Sequence, residues 1–321
     1  MGNVFEMQWE VSLITWLQQA MGSAGTFAAR AFAFVGDETF TVLMLLVLMF
    51  CWSKEAGKRC GLAILAATVW FPMVKNIALR RRPYMVHPEE ITPDPLPEAD
   101  AAADDIIQQG FSFPSGHSAM SVATYGSLAR ETKKKWAKIL AVTLPLLIGV
   151  SRFASGVHYP TDVLAGWAIG LAAVGFAALL EKKVKNETVR YLILLVTALP
   201  GIFWCSSRDY FSALGALAGA VVAIPFEKKY INFRDTRRIP AMILRVAGAM
   251  TIYLALNWLM KKPFDTVFLN SGTPAANLIR SLRYGILLFV VIGVYPRCFP
   301  LLEKLGARKS AGSSKGTEAG E

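Results

Sequence analysis

A polytopic bundle of membrane-spanning α-helices is the fold class this sequence predicts, on three observations. Hydrophobic residues make up 54% of the 321 positions and charged residues only 18%, against roughly 45–50% and about 25% in soluble domains. Apolar stretches approaching the ~20 residues that a helix needs to cross hydrocarbon recur along the chain. The basic residues collect in alternate connections between those stretches. Together these exclude a disordered chain, a collagen-like fibre and a disulfide-rich secreted module.

Taken in order, residues 1–37 form an N-terminal membrane-associated segment. Within it, 9–35 mixes Trp9, Glu10, Trp16, Gln18, Gln19 and Arg30 with apolar residues. That mixture predicts an amphipathic helix lying in the interface, with a further span as the alternative. Apolar windows follow at 38–53, 60–79, 116–131, 136–153, 161–181, 189–205, 211–227, 240–260 and 279–297. They predict about nine transmembrane helices, several of them short. Residues 299–321 make a polar tail. Cys51, Cys60, Cys205 and Cys298 are scattered without paired spacing, which predicts neither a disulfide framework nor a zinc site. The start of the chain lacks the basic, apolar and small-residue order of a cleavable signal peptide.

The net charge of +11 is sorted by side. Alternate connections hold Lys54, Lys58 and Arg59; Arg130, Lys133, Lys134, Lys135 and Lys138; Lys182, Lys183, Lys185 and Arg190; and Lys228, Lys229, Arg234, Arg237 and Arg238. The tail adds Arg297, Lys304, Arg308, Lys309 and Lys315, for 22 of the 34 basic residues. The positive-inside rule makes that face cytoplasmic. The opposite face carries an acidic, Pro-rich loop over about 86–110, with Glu89, Glu90, Asp94, Glu98, Asp100, Asp104 and Asp105. The positive charge therefore reports topology and contact with anionic membrane lipids. No arginine-rich segment with interleaved aromatics predicts a nucleic-acid partner.

Three polar clusters remain, all at helix ends on the outer face. The first runs from Lys75 to Arg80-Arg81-Arg82-Pro83; the second is Pro114-Ser115-Gly116-His117; the third spans Ser151-Arg152 to His158-Tyr159-Pro160-Thr161-Asp162. Lys75 and Arg82 are seven residues apart, two helical turns, and so share a face. Cations at the mouth of a helix bundle need an anion to offset their desolvation, and the arginine fork suits phosphate oxygens. Pro114-Ser115-Gly116-His117 opens a helix, where free N–H groups and the dipole favour an anion. His158 precedes Asp162 by four residues, which fits one helical turn, so the carboxylate can hold one ring nitrogen and leave the other as a nucleophile or base. His117 is then free to move a proton. Taken singly each cluster has a plainer reading: a juxtamembrane arginine anchor, a turn, a surface His–Asp pair. Their shared face and complementary chemistry favour a site.

These residues, in this order, resemble the three-part signature of the type 2 phosphatidic acid phosphatase superfamily. Lys75, Arg82, Pro83, Pro114, Ser115, Gly116, His117, Ser151, Arg152, His158 and Asp162 fill every signature position, and the resemblance covers about residues 38–181. It implies a six-helix phosphatase-type core, here 38–188, followed by additional helices over 189–298. It implies that Lys75, Arg82, Arg152, Ser115 and the Gly116 N–H bind phosphate, that His158 attacks phosphorus, that Asp162 orients His158, and that His117 protonates the leaving group. No metal and no cofactor are implied. The substrate implied is a lipid phosphate, of the phosphatidate or undecaprenyl diphosphate type, at the outer face of a bacterial plasma membrane. Were the source eukaryotic, the site would face the lumen of the endoplasmic reticulum. The number of spans also resembles the glucose-6-phosphatase and sphingoid-base phosphate phosphatase branches, which leaves a small soluble phosphoester as the alternative. The extra spans would wall a lipid-entry groove, form a homodimer surface or add stability. A transporter or an inert scaffold fits less well, because no internal repeat is present and no catalytic residue is missing. Ser206-Ser207-Arg208-Asp209 reads as a turn, His87 as a loop residue, and Tyr84 and Tyr159 as interfacial anchors or substrate contacts.

Overall fold

The computed structural model describes residues 2–97 and 101–304. Glu98, Asp100 and the tail beyond Lys304 lie outside the described residues. The described chain is an all-α bundle, and its one extended pairing is a bridge between Asn3 and Arg80. The first helix is α1 (Gln8–Val35), interrupted where Gly22 takes a φ of 54°. Then come α2 (Glu38–Val47), which runs on through a wider turn to Trp52, and α3 (Lys54–Ala78). Two short helices, α4 (Pro83–Val86) and α5 (Ile106–Gln109), punctuate the acidic loop. Next are α6 (Gly116–Arg130), α7 (Lys135–Ala154), α8 (Pro160–Lys183) and α9 (Glu187–Ala198). The remainder is α10 (Arg208–Tyr230), α11 (Ile239–Lys261), α12 (Thr266–Asn270) and α13 (Pro274–Leu288), which continues helically to Lys304.

Six of these helices are long and apolar enough to cross a membrane: α3, α7, α8, α10, α11 and the extended α13. A seventh span results if α1 and the α2 limb, which meet at 50°, count as one. The nine apolar windows fold as helix. α6 fills its window, with 15 residues or about 22 Å at 1.5 Å per residue, and begins just past Pro114, where Ser115 caps it. α9 has 12 residues and tightens into a 3₁₀ turn at Leu199-Pro200, where proline offers no N–H to the ladder.

The chain forms two compact units. The first comprises the residues up to Thr41, Leu62–Lys185 and Thr197–Tyr210, and it contains all three polar clusters. Within it α6 packs against α7 and α8, and α1 lies along α7. Small residues set the closeness of α6 and α8. A Cβ at Gly166 would fall 2.5 Å from the Ser115 carbonyl oxygen, and one at Gly170 would fall 2.6 Å from that of Ala119. That contact fixes the start of α6 against the start of α8. The second unit comprises Val42–Gly61, Asn186–Val196 and the residues from Phe211 onward. Its core is an edge-to-face cluster of Phe50, Phe233, Tyr295 and Phe299, with Phe50 and Phe299 centroids 5.0 Å apart. Lys54–Glu227 (3.1 Å) and Arg245–Glu303 (2.9 Å) are ion pairs within that unit.

Candidate active site

Four helix ends in the first unit bring the candidate residues together. Lys75 occupies the last turn of α3. Beyond it Leu79 turns the chain with a φ of 53°, and Arg82 sits at the cap of α4 ahead of Pro83. Ser115 caps α6 by accepting from the Ser118 N–H, and Gly116 and His117 begin that helix. Arg152 lies in the last turn of α7. Pro160 opens α8, whose first turn places Asp162 one turn after His158.

His158 and Asp162 are both buried, with Nδ1 and Oδ2 3.4 Å apart. Asp162 Oδ2 also accepts from the Tyr159 N–H at 2.7 Å and from the Ser112 hydroxyl, while Oδ1 accepts from Arg80 Nη1 at 2.7 Å. The carboxylate is thus held by four groups before any substrate arrives. With a proton on Nδ1 facing Asp162, the free electron pair of His158 sits on Nε2, which lies 3.4 Å from Arg82 Nη1. Arg82 is oriented by main-chain carbonyls: Nε and Nη2 donate to Gln109, Nε to Gly110 (3.0 Å) and Nη1 to Val157 (3.0 Å).

Lys75 and Arg152 are buried too, yet neither side chain has a hydrogen-bonding partner among the described residues. Arg152 Nε is wholly enclosed and unpaired. Lys75 Nζ lies over the face of Phe71, 5.3 Å from the ring centre. His117 is half-buried and forms no side-chain hydrogen bond there. Lys75, Arg82, Arg152 and His158 all act electrostatically on His117, so the five groups share one location. Buried donors of this kind are normally paired. Burial and the neighbouring Arg82, Lys75 and Arg152 charges hold the His158 imidazole well below the ordinary histidine range. The second cluster is coupled to the third through the backbone, because the Ser115 N–H donates to the Asp162 carbonyl at 2.9 Å.

Several residues take places the sequence does not announce. Of the three consecutive arginines only Arg81 is exposed, so the run is not a juxtamembrane anchor: Arg80 and Arg82 are interior. Glu10, in the segment expected at the interface, is fully buried and pairs with Arg80 at 2.8 Å. Tyr159 is interior, stacked on Arg80 and bonded to Glu6. His87 pairs with Glu6 at 2.8 Å. Ser206 and Ser207 form a turn pinned to Asn76, whose Oδ1 accepts from both N–H groups, and Asp209 acts electrostatically on Lys75. Tyr84 is interior as well.

Comparison with known proteins gives the family. The model of the PAP2 superfamily matches residues 57–186, which hold every candidate residue from Lys75 to Asp162. A second model, the transmembrane extension of PAP2 superfamily phosphatases, matches residues 211–309. The chain belongs to the PAP2 superfamily. Its apolar helices and the matched extension make it a multi-pass membrane protein. Among curated relatives it is 31% identical over 126 residues to an undecaprenyl-diphosphatase of Sulfolobus acidocaldarius, which covers 39% of this chain and 55% of that one. It is 33% identical over 90 residues to phosphatidylglycerophosphatase B of Bacillus subtilis, covering 25% of this chain and 44% of that one. The match thus spans about half the length of each relative. No solved structure matches the chain.

Proposed function

We propose that this PAP2 superfamily member is an integral-membrane phosphatase that removes phosphate from a lipid phosphomonoester or diphosphate through a phosphohistidine on His158. One observation carries the reading. Lys75 and Arg152 are buried cations without hydrogen-bonding partners among the described residues, beside a histidine whose Nδ1 side is held by Asp162. A phosphate group supplies the missing negative charge. Lys75, Arg82 and Arg152 clamp its oxygens, with Ser115 and the Gly116 N–H as further donors.

The chemistry then balances in two steps. His158 Nε2 forms a bond to phosphorus as the bond to the leaving oxygen breaks, and His117 gives that oxygen its proton. His117 next takes a proton from water, the hydroxide oxygen bonds to phosphorus, and the phosphorus–nitrogen bond breaks to release inorganic phosphate. Asp162 balances the positive imidazole formed in the first step. The three cations counter charge on the equatorial oxygens in both transition states, the task a metal ion performs in other phosphoryl-transfer sites.

The relatives are an undecaprenyl-diphosphatase and a phosphatidylglycerophosphatase, which supports a lipid substrate. In the order of apolar windows along the sequence, the candidate residues fall in connections that alternate with the Lys/Arg-rich ones, which supports an extracytoplasmic active site. The test is a phosphate-release panel on purified protein in EDTA, comparing phosphatidate, undecaprenyl diphosphate, phosphatidylglycerol phosphate, sphingosine phosphate and glucose 6-phosphate. Release from a lipid phosphate is expected. Release from glucose 6-phosphate alone, or a strict need for Mg²⁺, overturns the reading.

A further inference from the structure

Arg80 belongs to none of the three motifs, yet its guanidinium is 1% exposed and makes the closest charged contact of Asp162. Nη1 donates to Asp162 Oδ1 and Thr161 Oγ1, each at 2.7 Å, and Nη2 donates to Glu10 Oε2 at 2.8 Å. The Phe5 and Tyr159 rings cover it, with centres 4.6 and 3.8 Å from Cζ. Glu10 is fully buried and uses its second oxygen to accept from the Thr161 N–H (3.1 Å) and hydroxyl (2.6 Å).

The signs of these charges matter. Arg80 against Asp162 alone would form a neutral pair, and a neutral pair offers little to a positively charged imidazole. Glu10 on the far side of the guanidinium changes the sum. The Glu10–Arg80–Asp162 array carries one net negative charge, and its burial leaves that charge poorly screened. Around His158 it stands against Lys75, Arg82, Arg152 and the ring of His117.

We propose that Glu10 and Arg80 are positioning residues that act through Asp162: Arg80 fixes the carboxylate in place, and Glu10 offsets the arginine so that Asp162 keeps its negative charge for His158. The N-terminal helix would thereby complete the catalytic centre. The role in turnover rests on the phosphatase reading; the role in charge does not.

The test uses full-length protein in detergent and orthovanadate, whose trigonal-bipyramidal complex needs the same histidine nucleophile. Vanadate affinity is read from thermal stabilisation, with kcat and KM measured alongside. Glu10→Gln keeps the shape and removes the charge, leaving Arg80 to cancel Asp162. It is expected to weaken vanadate about tenfold and to lower kcat about tenfold with KM within about twofold. The Glu10→Gln/Arg80→Met double variant removes both charges and should bind vanadate within about threefold of the parent, because Asp162 is again uncompensated. If the two residues served only as tethers, losing both would be worse than losing one. Parental vanadate affinity in Glu10→Gln overturns the proposal, as does a double variant weaker than the single. Should Glu10→Gln fail to fold, the double variant decides alone: affinity within about threefold supports the proposal and a loss beyond about tenfold overturns it. Absence of phosphate release by the parent on every lipid would count against the phosphatase reading and leave the vanadate comparison standing.

Discussion

The backbone N–H of Ser115 donates to the backbone carbonyl of Asp162 at 2.9 Å, joining the cap of one helix to the first turn of another. Through this bond the anion-facing end of α6 and the carboxylate that holds His158 move as one piece. Gly166, one turn beyond Asp162, lets α8 approach closely enough for it to form.

Gly166→Ala should loosen that joint. The added Cβ would sit 2.5 Å from the Ser115 oxygen, which is main chain and cannot swing away. Overpacking of this kind costs about 1–3 kcal/mol. A lower melting temperature in detergent is expected, with phosphate release reduced by at least about tenfold. Parental values for both would show that the two helix ends are coupled less tightly than this spacing implies.

His158→Ala should abolish turnover, a loss of at least about a thousandfold, because no other group can take the nucleophile's place. Brief reaction with a radiolabelled lipid phosphate followed by alkaline denaturation should leave label on the parent and none on the variant. Label retained by the variant would place the nucleophile elsewhere.

The pH dependence follows from the charges around His158. Burial with Arg82, Lys75 and Arg152 lowers its proton affinity, so the neutral, nucleophilic form persists to lower pH than for an ordinary histidine. The acid limb of kcat/KM should therefore lie below the ordinary histidine range. Lys75→Met removes one cation and raises the proton affinity, which should shift that limb to higher pH. A limb shifted the other way would contradict the arrangement.

Arg82→Lys tests orientation apart from charge. The guanidinium donates to the carbonyls of Gln109, Gly110 and Val157, a fork that an ammonium group cannot reproduce. Vanadate inhibition should weaken by about tenfold or more although the charge is kept. Inhibition unchanged from the parent would mean that charge alone suffices.

The membrane face can be read by labelling. Cys51, Cys60 and Cys205 are buried and Cys298 is exposed, so Cys298→Ser supplies a quiet background. Glu90→Cys in that background places a thiol on the exposed acidic loop. An impermeant maleimide should reach it from outside intact cells. Labelling only after the cells are opened would reverse the topology.

What the sequence reveals, and what it hides, has a physical pattern here. The three clusters are legible because their residue types stand at short, recognisable spacings, although Lys75 and Arg82 do not share a helical face as the spacing predicts: α3 ends at Ala78 and Leu79 turns the chain before Arg82. The helical class is legible from apolar windows. The point where α9 stops being α-helical is not, because the proline at Leu199-Pro200 ends it without altering the hydropathy of the flanking residues. Arg80 is hidden by its neighbours, since three consecutive arginines at a membrane exit look like an anchor whichever way each one points. Glu10 is hidden by distance, for its partner is 70 residues away and the intervening chain gives no hint of the encounter. Ser112 falls in the same class, bonded to Asp162 from 50 residues away.

The buried Glu10–Arg80 pair also carries an evolutionary consequence. Removing Arg80 strands the Glu10 and Asp162 carboxylates together away from water, at a cost of several kcal/mol. Changes at the two positions should therefore be inherited together: descendants and cousins that lose the arginine at position 80 should lose the acid at position 10 as well. A family tree would then show the N-terminal helix and the chain leaving α3 evolving as partners, despite the long stretch of sequence between them.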